Sequence, residues 1–315
     1  MSKIYNDVNR FVIDWTLNSL CTYHCSYCPE GLHRGVNQIV SKEQDPQLIR
    51  KFLTTLAAQV AGRSVHIFIN GGEPTISPSL ETIINFCNTN GWSAYVNTNG
   101  SRSLDWWKEN AHKIYKVTVS YHPESADDSI FEKVEYISTQ TNVGVFTLMY
   151  PPLWDKSVDA YNRFMSMNDV TIAPSRVFKR ESHDLDVSYD YSDEQLAWLN
   201  NNSKTLFRGN TRMPSNNNFW GTTYLESEGN VDKLDEVEFV NNRKNSFINW
   251  HCNMGMDHIY VDQFGNIKQS ACKQSKIFSN IQTFAGLMTE PTLCKMQWCM
   301  CTADVMIPKE YKCTT

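Results

Sequence analysis

Three cysteines stand close together near the amino terminus, in the spacing C-x3-C-x2-C. They are Cys21, Cys25 and Cys28, and an aromatic residue, Tyr27, precedes the third of them. Three thiolates on one short loop can hold three irons of a four-iron, four-sulfur cluster and leave the fourth iron without a protein ligand. Such an open iron can bind and reduce a small molecule. The spacing therefore predicts a loop that folds around a metal cluster.

Short β-branched or aromatic segments alternate with amphipathic segments of helical length between residues 11 and 200. The predicted strands are Phe11–Leu17, Val65–Asn70, Ser93–Asn97, Val117–Ser120, Val143–Met149 and Val170–Ala173. Strands and helices in regular alternation imply parallel pairing with right-handed crossovers. The pattern favours an α/β fold, a partial (β/α)6 barrel with parallel strands, whose site lies at the carboxyl ends of the strands.

Several predicted helices begin at recognisable capping residues. These are Asp45-Pro46, Ser77-Pro78 and the capping-box pair of Ser192 with Gln195. A capping side chain accepts a hydrogen bond from an amide of the first turn, and proline is well tolerated there because its missing N–H has no partner in that turn. The last pair predicts a helix that runs to about residue 200.

Glycines and polar residues follow the predicted strands. They are Gly71, Gly72, Glu73 and Pro74 after the second strand, Thr98 and Asn99 after the third, and Ser120 at the end of the fourth. Paired glycines let the backbone approach a ligand closely, and an acidic side chain beside them could face an ammonium group. The alternative is an ordinary turn at each position, because Gly and Asn are common turn residues.

The cysteine loop and the Gly71–Pro74 segment together resemble the radical S-adenosylmethionine (radical SAM) enzyme family, over most of residues 11–175. The resemblance implies that Cys21, Cys25 and Cys28 ligate the cluster and that SAM chelates its open iron. One electron then cleaves SAM to methionine and a 5′-deoxyadenosyl radical, which abstracts a hydrogen atom from the substrate. The resemblance also places Tyr27 beside the adenine. It assigns the amino group of SAM to the Gly71–Pro74 segment, and the remaining wall of the SAM pocket to the residues at the next two strand ends.

Six cysteines follow residue 250 and suggest a second metal site. The candidates are Cys252, Cys272, Cys294, Cys299 and Cys301, with Cys313 near the end of the chain. Their arrangement resembles the auxiliary-cluster extensions of the same family, called SPASM in the long form and Twitch in the short form. One auxiliary 4Fe-4S cluster fits the count, with Cys252, Cys272, Cys299 and Cys301 as the first choice of ligands and Cys294 as the substitute. A structural zinc site is the alternative.

The organisation along the chain predicts three parts. These are a radical SAM partial barrel over residues 1–190, an irregular connector or cap over 191–249, and an auxiliary-cluster domain over 250–315. In the last part, His258–Asp262 and Asn266–Lys268 around Gly265 predict a β-hairpin. Cys87, within a helical segment, is predicted to be a small buried apolar residue.

A group of basic residues follows the fourth and sixth predicted strands. His122, Arg176, Lys179 and Arg180 point toward the same end of the fold. Residues of these types are usually solvated at the surface, so they are not predicted to be catalytic.

The charge and composition limit the partners. The net charge is −5 with acidic and basic residues interspersed, so nucleic acid is not expected as a partner. No segment approaches membrane-spanning length, and a cytoplasmic location is expected, where clustered cysteines act as metal ligands rather than disulfides. The resemblance implies an oxidoreductase- or transferase-type enzyme, an external one-electron reductant such as flavodoxin or ferredoxin, and a peptide side chain or small metabolite as substrate.

Two alternatives to this function stay open. A molybdopterin-precursor-type radical cyclase is disfavoured because the chain ends in Lys312-Cys313-Thr314-Thr315 rather than in a Gly-Gly-rich tail. A zinc-stabilised binding protein without radical chemistry belongs to a different class.

Overall fold

The computed structural model describes residues 2–28, 44–177, 189–202, 206–207, 221–235, 239–240, 243–299 and 302–312. Its α-helices are α1 (Pro46–Gln59), α2 (Ser79–Asn90), α3 (Leu104–Asn110), α4 (Ser129–Gln140), α5 (Trp154–Met165), α6 (Asp193–Asn202) and α7 (Thr302–Val305). Its strands are β1 (Ser2–Asn6), β2 (Arg10–Asn18), β3 (Ser64–Gly71), β4 (Ser93–Thr98), β5 (Lys116–Tyr121), β6 (Asn142–Met149), β7 (Val170–Arg176), β8 (Leu206–Phe207), β9 (Thr223–Ser227), β10 (Asn230–Lys233), β11 (Trp250–Cys252), β12 (His258–Val261), β13 (Asn266–Lys268), β14 (Ile277–Asn280), β15 (Thr292–Leu293) and β16 (Lys309–Tyr311). Cys301, Lys179 and Arg180 lie outside the described residues.

The larger sheet has the strand order β14-β13-β12-β2-β3-β4-β5-β6-β7-β8. Strands β2 to β7 contain the predicted strands, and each pairs in parallel with the next along the chain. A helix stands between each of these strands and the next, so the chain has a mixed α/β fold with parallel strands. Consecutive parallel order brings the carboxyl ends of β2 to β7 to the same edge.

Strand β2 illustrates how the core forms. Phe11, Ile13, Trp15 and Leu17 alternate along the strand and are almost completely buried. They belong to one apolar cluster with the inner face of α1, where the ring of Trp15 meets Phe52 edge-on at 5.6 Å between centroids. The intervening residues of β2 point to the opposite face of the sheet, which is where polar side chains become available to a site. Cys87 is fully buried in the same cluster, as the sequence predicts.

The predicted cap of α1 is present, whereas α2 begins one residue later than Ser77-Pro78 predicts, with Pro78 as its N-cap residue and no side-chain cap. The Asp45 carboxylate accepts from the Gln47 amide at 2.8 Å before α1, and the Ser77 hydroxyl accepts from the Ser79 amide at 3.2 Å before α2. The capping box before α6 is confirmed. The Ser192 hydroxyl accepts from the Gln195 amide at 3.3 Å, and the Gln195 side chain accepts from the Ser192 amide at 3.0 Å.

A second sheet has the strand order β10-β9-β1-β16-β11-β15. Strand β1, which the sequence analysis missed, pairs antiparallel with β9 and with β16, where Ser2 lies opposite Tyr311. Strands β9 and β10 fall in the predicted irregular connector, where Glu228 and Gly229 form a two-residue turn with positive φ at both positions. Asn or Asp usually precedes Gly in such a turn, so Glu228 conceals the hairpin signal in the sequence.

Residues 250–315 are divided between the two sheets. Strands β11, β15 and β16 join the second sheet, whereas β12 pairs in parallel with β2 and antiparallel with β13. Strand β12 therefore continues the parallel sheet, with Tyr260 opposite Asp14. Within the described part of the chain, no helix has both the length and the apolar character needed to cross a membrane.

Candidate functional site

A cavity of about 590 Å³ opens at the carboxyl ends of the parallel strands. Its walls include most of the residues predicted for the SAM site, namely Cys21, Cys25, Tyr27, Cys28, Gly71, Gly72, Thr98, Asn99 and Ser120. These residues come from four separate chain segments, and the parallel topology brings them together. Glu73 and Pro74 are buried beside the cavity and are not among the residues that line it.

The cysteine loop begins where β2 ends at Asn18. The Cys21 sulfur accepts from the Tyr23 amide and from the Asn99 side-chain amide, each at 3.4 Å, and the Cys28 amide donates to the Cys25 carbonyl at 3.1 Å. Burial raises the pKa of the Cys21 and Cys25 thiols, so both are protonated at neutral pH when no metal is bound. Metal binding releases such protons, and N–H donors beside the sulfurs suit thiolate ligands. The loop therefore fits an iron–sulfur cluster.

The two glycines pack against the base of the cysteine loop. Gly71 has a φ of 146°, and a Cβ built on it lies 2.5 Å from the Asn18 carbonyl oxygen. The Gly72 amide donates to the Asn18 carbonyl at 3.0 Å, and the Glu73 amide donates to the Leu20 carbonyl at 2.6 Å. The end of β3 thus packs directly on the base of the loop, at a distance that only glycine allows.

The Glu73 carboxylate is fully engaged within the protein. One oxygen accepts from the Thr75 amide at 3.0 Å, the Thr75 hydroxyl at 2.6 Å and the Thr98 hydroxyl at 2.7 Å. The other oxygen accepts from the Asn99 amide at 2.6 Å. The expectation that this side chain faces an ammonium group is therefore wrong. Its carboxylate instead joins the end of β3 to the end of β4, and so positions Thr98 and Asn99 in the cavity wall.

Tyr27 and His122 form an aromatic side of the cavity. Their rings are nearly parallel, with 5.9 Å between centroids and 4° between planes. The ring centroids of Tyr150 and Tyr27 lie 4.7 Å apart. Burial lowers the pKa of His122 to about 4, so its imidazole is neutral at physiological pH. The expectation that His122 is a solvated surface charge is wrong, because the residue packs between Tyr23 and Tyr27 in the cavity wall.

A layer of polar side chains forms the floor of the cavity. Thr16 lies opposite Asn70, and Asn97 lies opposite Thr118, across neighbouring strands. The Asn97 amide donates to the Asn70 side chain, and the Thr16 hydroxyl is hydrogen bonded to the Tyr260 hydroxyl at 2.8 Å. No motif in the sequence marks this layer, although its members occupy inward positions of the strand alternation, which is a signal that could have found them.

The upper wall carries an apolar and a cationic side chain. Phe146 lines the cavity and is 45% exposed, which is high for a phenylalanine on a central strand. Arg176, at the end of β7, also lines the cavity, and its guanidinium donates to the Asn200 side chain of α6 at 3.2 Å. Arg176 is exposed, as the sequence analysis expects.

The described C-terminal cysteines form a second group. Cys252 and Cys272 pack with Met254 and Ile307, and Cys294 and Cys299 pack near Val305. The charge of Cys299 interacts with those of Cys252 and Cys272, and that of Cys272 with that of Cys294, so the four cysteines lie in one region of the molecule. Burial raises the pKa of the Cys252, Cys272 and Cys299 thiols. Cys294, predicted as the substitute ligand, lies in this group, and Cys301 lies outside the described residues.

Across the residues that the structure describes, no three His, Cys, Asp or Glu side chains lie close enough to hold one metal ion. In a four-iron cluster each thiolate binds a different iron, so its ligands do not converge on one point.

Buried charges lie between the second cysteine group and β2. His258 is hydrogen bonded to the Asp14 carboxylate at 2.8 Å, and its other ring nitrogen lies 3.9 Å from the Asp304 carboxylate. Burial lowers the pKa of His258, whereas the hydrogen bond to Asp14 and the charge of its carboxylate raise it. The second effect is larger, so the pKa of His258 lies above its usual value. The Lys309 ammonium donates to the carbonyls of Asp304 at 2.7 Å and Val305 at 2.8 Å, which fastens β16 to α7.

Comparison with known proteins shows the fold that this chain shares with solved structures. No family model matches the chain. The 7-carboxy-7-deazaguanine synthase of Bacillus cereus is 24% identical over 135 residues, which cover 40% of this chain and 54% of that protein. The chain thus spans about half the length of this curated relative.

Solved structures resemble most of the chain. The tagged form of anSMEcpe with bound AdoMet has a TM-score of 0.52 at 14% identity and covers 87% of this chain and 75% of its own. Streptococcus suis SuiB bound to its precursor peptide SuiA has a TM-score of 0.50 at 12% identity and covers 87% of this chain and 63% of its own.

The molecule is an α/β protein with a three-cysteine loop at the carboxyl ends of parallel strands. At these identities the structural likenesses show the fold alone.

Proposed function

We propose that the chain is a radical SAM enzyme built on a partial barrel of β2 to β7, with Cys21, Cys25 and Cys28 as ligands of a 4Fe-4S cluster. The observation that carries the proposal is the common cavity, in which these cysteines meet Gly71 and Gly72 and the ends of β4 and β5. When bound, the cluster supplies the electron that cleaves SAM. The bound AdoMet of anSMEcpe, which shares the fold, supports the same ligand for this cavity.

The residues of the chain have separate tasks in this proposal. Tyr27 offers a buried ring to the adenine, and Thr98, Asn99 and Ser120 offer polar groups to the rest of SAM. The backbone carbonyls at the end of β3 remain for the amino group, because the Glu73 carboxylate is already satisfied. The aromatic side at Tyr27 and His122 limits water around a reactive carbon radical.

The test is anaerobic reconstitution with iron and sulfide, followed by reduction in the presence of SAM. We expect inorganic sulfide, iron and formation of 5′-deoxyadenosine, each measured per chain. A colourless protein that holds zinc without sulfide would contradict the proposal and favour a zinc-stabilised binding protein. SAM left intact under strong reductant would also contradict it.

The second cysteine group is proposed to hold one auxiliary 4Fe-4S cluster, as in SPASM/Twitch-like extensions. A double variant, Cys299→Ser with Cys301→Ser, is expected to lower the iron content from about eight to about four per chain. Formation of 5′-deoxyadenosine is expected to persist, because the first loop is intact. Iron unchanged at about eight, or zinc lost instead of iron, would contradict an iron–sulfur cluster at the second group.

The substrate is proposed to enter beside Phe146 and Arg176, which offer an apolar face and a positive charge on the open side of the cavity. Two classes fit this site, a peptide side chain and a small metabolite. SuiB was solved with a precursor peptide, whereas the curated relative is named for a small heterocycle, so each class has a relative in its favour. The reductant is proposed to be an external flavodoxin or ferredoxin.

A further inference from the structure

The Cys25 sulfur has more hydrogen-bond partners than a buried thiol needs. It lies 3.4 Å from His122 Nδ1 and 3.7 Å from the Ser125 hydroxyl, and the Tyr27 hydroxyl is also hydrogen bonded to it. A neutral thiol is only a weak donor and a weak acceptor. A thiolate, in contrast, accepts several hydrogen bonds. Once metal binding has removed the thiol proton, the Cys25 thiolate therefore finds hydrogen-bond donors already in place around it.

The segment after β5 is built to deliver two of these partners together. The Ser125 and Ala126 amides donate to the His122 carbonyl at 3.0 Å and 2.8 Å, which closes a turn. Glu124, within the turn, accepts from the Ser26 amide at 2.7 Å and from the Ser26 hydroxyl at 2.6 Å. The turn is thus fastened to the cysteine loop on one side, while His122 and Ser125 contact Cys25 on the other.

The imidazole of His122 is held in one orientation. Its ring is stacked on Tyr27 and meets Tyr23 edge-on at 6.0 Å. Nδ1 faces both the Cys25 sulfur and the Tyr27 hydroxyl, the latter at 3.2 Å. A neutral imidazole carries one N–H, and a thiolate can only accept. With Cys25 ionised, Nδ1 is therefore the protonated nitrogen, and the Tyr27 hydroxyl turns its proton toward the sulfur as well.

We propose that His122 is a positioning residue for the SAM-binding cluster, which donates from Nδ1 to the Cys25 thiolate alongside Ser125 and Tyr27 and makes the cluster easier to reduce. The proposal rests on the proposed function, in which Cys25 is an iron ligand. Hydrogen bonds to ligand sulfurs withdraw negative charge from the cluster and favour its reduced, more negative form. His122 thereby sets how strong a reductant the enzyme needs.

The test is a redox titration of the reconstituted full chain, monitored by electron paramagnetic resonance. The cluster in question is the one whose signal changes when SAM is added. His122→Phe keeps a flat ring against Tyr27 and removes the donor, so the midpoint potential is expected to become more negative. His122→Asn places an amide donor where Nδ1 was, so its midpoint potential is expected to return part of the way to the wild-type value. His112→Phe, at an exposed histidine, is the matched control and is expected to cause no shift.

The outcomes separate this inference from the proposed function. A wild-type chain without any cluster overturns both. A His122→Phe chain with full iron and an unchanged midpoint overturns the role of His122 alone. If the His122→Phe chain loses its iron, the Ser125→Ala variant is titrated instead. Its midpoint potential is expected to become more negative by a smaller amount. An unshifted midpoint in Ser125→Ala then overturns the inference.

Discussion

Replacement of Cys25 with alanine is expected to abolish SAM cleavage. The variant leaves two thiolates on the loop, which cannot hold three irons, and it leaves the donors of His122 and Ser125 without their acceptor. Replacing a residue that is hydrogen bonded to a metal ligand already lowers activity or metal affinity by about 10–100-fold. Loss of a ligand is therefore expected to lower 5′-deoxyadenosine formation by more than about 100-fold. Iron and sulfide per chain are measured on the same anaerobic sample.

Cys87→Ala is the matched control for this variant. Cys87 is a fully buried cysteine of α2 that packs in the apolar core and does not line the cavity. Its replacement is expected to leave iron content and SAM cleavage unchanged, even if stability falls slightly. Full iron and normal cleavage in Cys25→Ala would show that Cys25 is not a ligand.

Replacement of Glu73 with glutamine is expected to destabilise the fold and weaken SAM binding together. The carboxylate accepts four hydrogen bonds, and the amide of glutamine turns a donor toward one or more of the Thr75, Thr98 and Asn99 donors. A buried hydrogen bond to a charged group contributes about 1.5–3 kcal/mol, so a loss of about 3–5 kcal/mol in the free energy of unfolding is expected. Denaturant unfolding and calorimetric titration with SAM measure the two effects.

Glu81→Gln provides the comparison for Glu73. Glu81 is exposed in the first turn of α2, and surface changes of this kind alter stability by no more than about 0.5 kcal/mol. If Glu73→Gln unfolds at the wild-type denaturant concentration and binds SAM normally, the carboxylate does not hold the ends of β3 and β4 together.

The parallel strands could be predicted because their signal is local. Each combines a β-branched or aromatic run with a capped amphipathic helix, and the observed strands β2 to β7 differ from the predicted ones by three residues at most. The cysteine loop could be predicted from spacing alone, and the cavity indeed brings it to the glycines and the ends of β4 and β5.

The features that the sequence analysis missed depend on distant partners. The environment of Glu73 is set by Thr98 and Asn99, 25 and 26 residues further along the chain. His122 is partly buried because the cysteine loop packs against it, nearly a hundred residues away. Strand β1 is a short segment without a strong pattern, and it becomes a strand only because β9 and β16 flank it. No local pattern of charge or hydrophobicity contains that information.

The pairing of β1 with β16 has a consequence for how the protein is made. Ser2 emerges from the ribosome roughly 300 residues before Tyr311, its neighbour in the finished sheet. At 5–20 residues per second, that interval lasts roughly 15 to 60 seconds. During this interval β1 lacks its neighbour β16, so the second sheet cannot be completed before residues 309–311 have been synthesised.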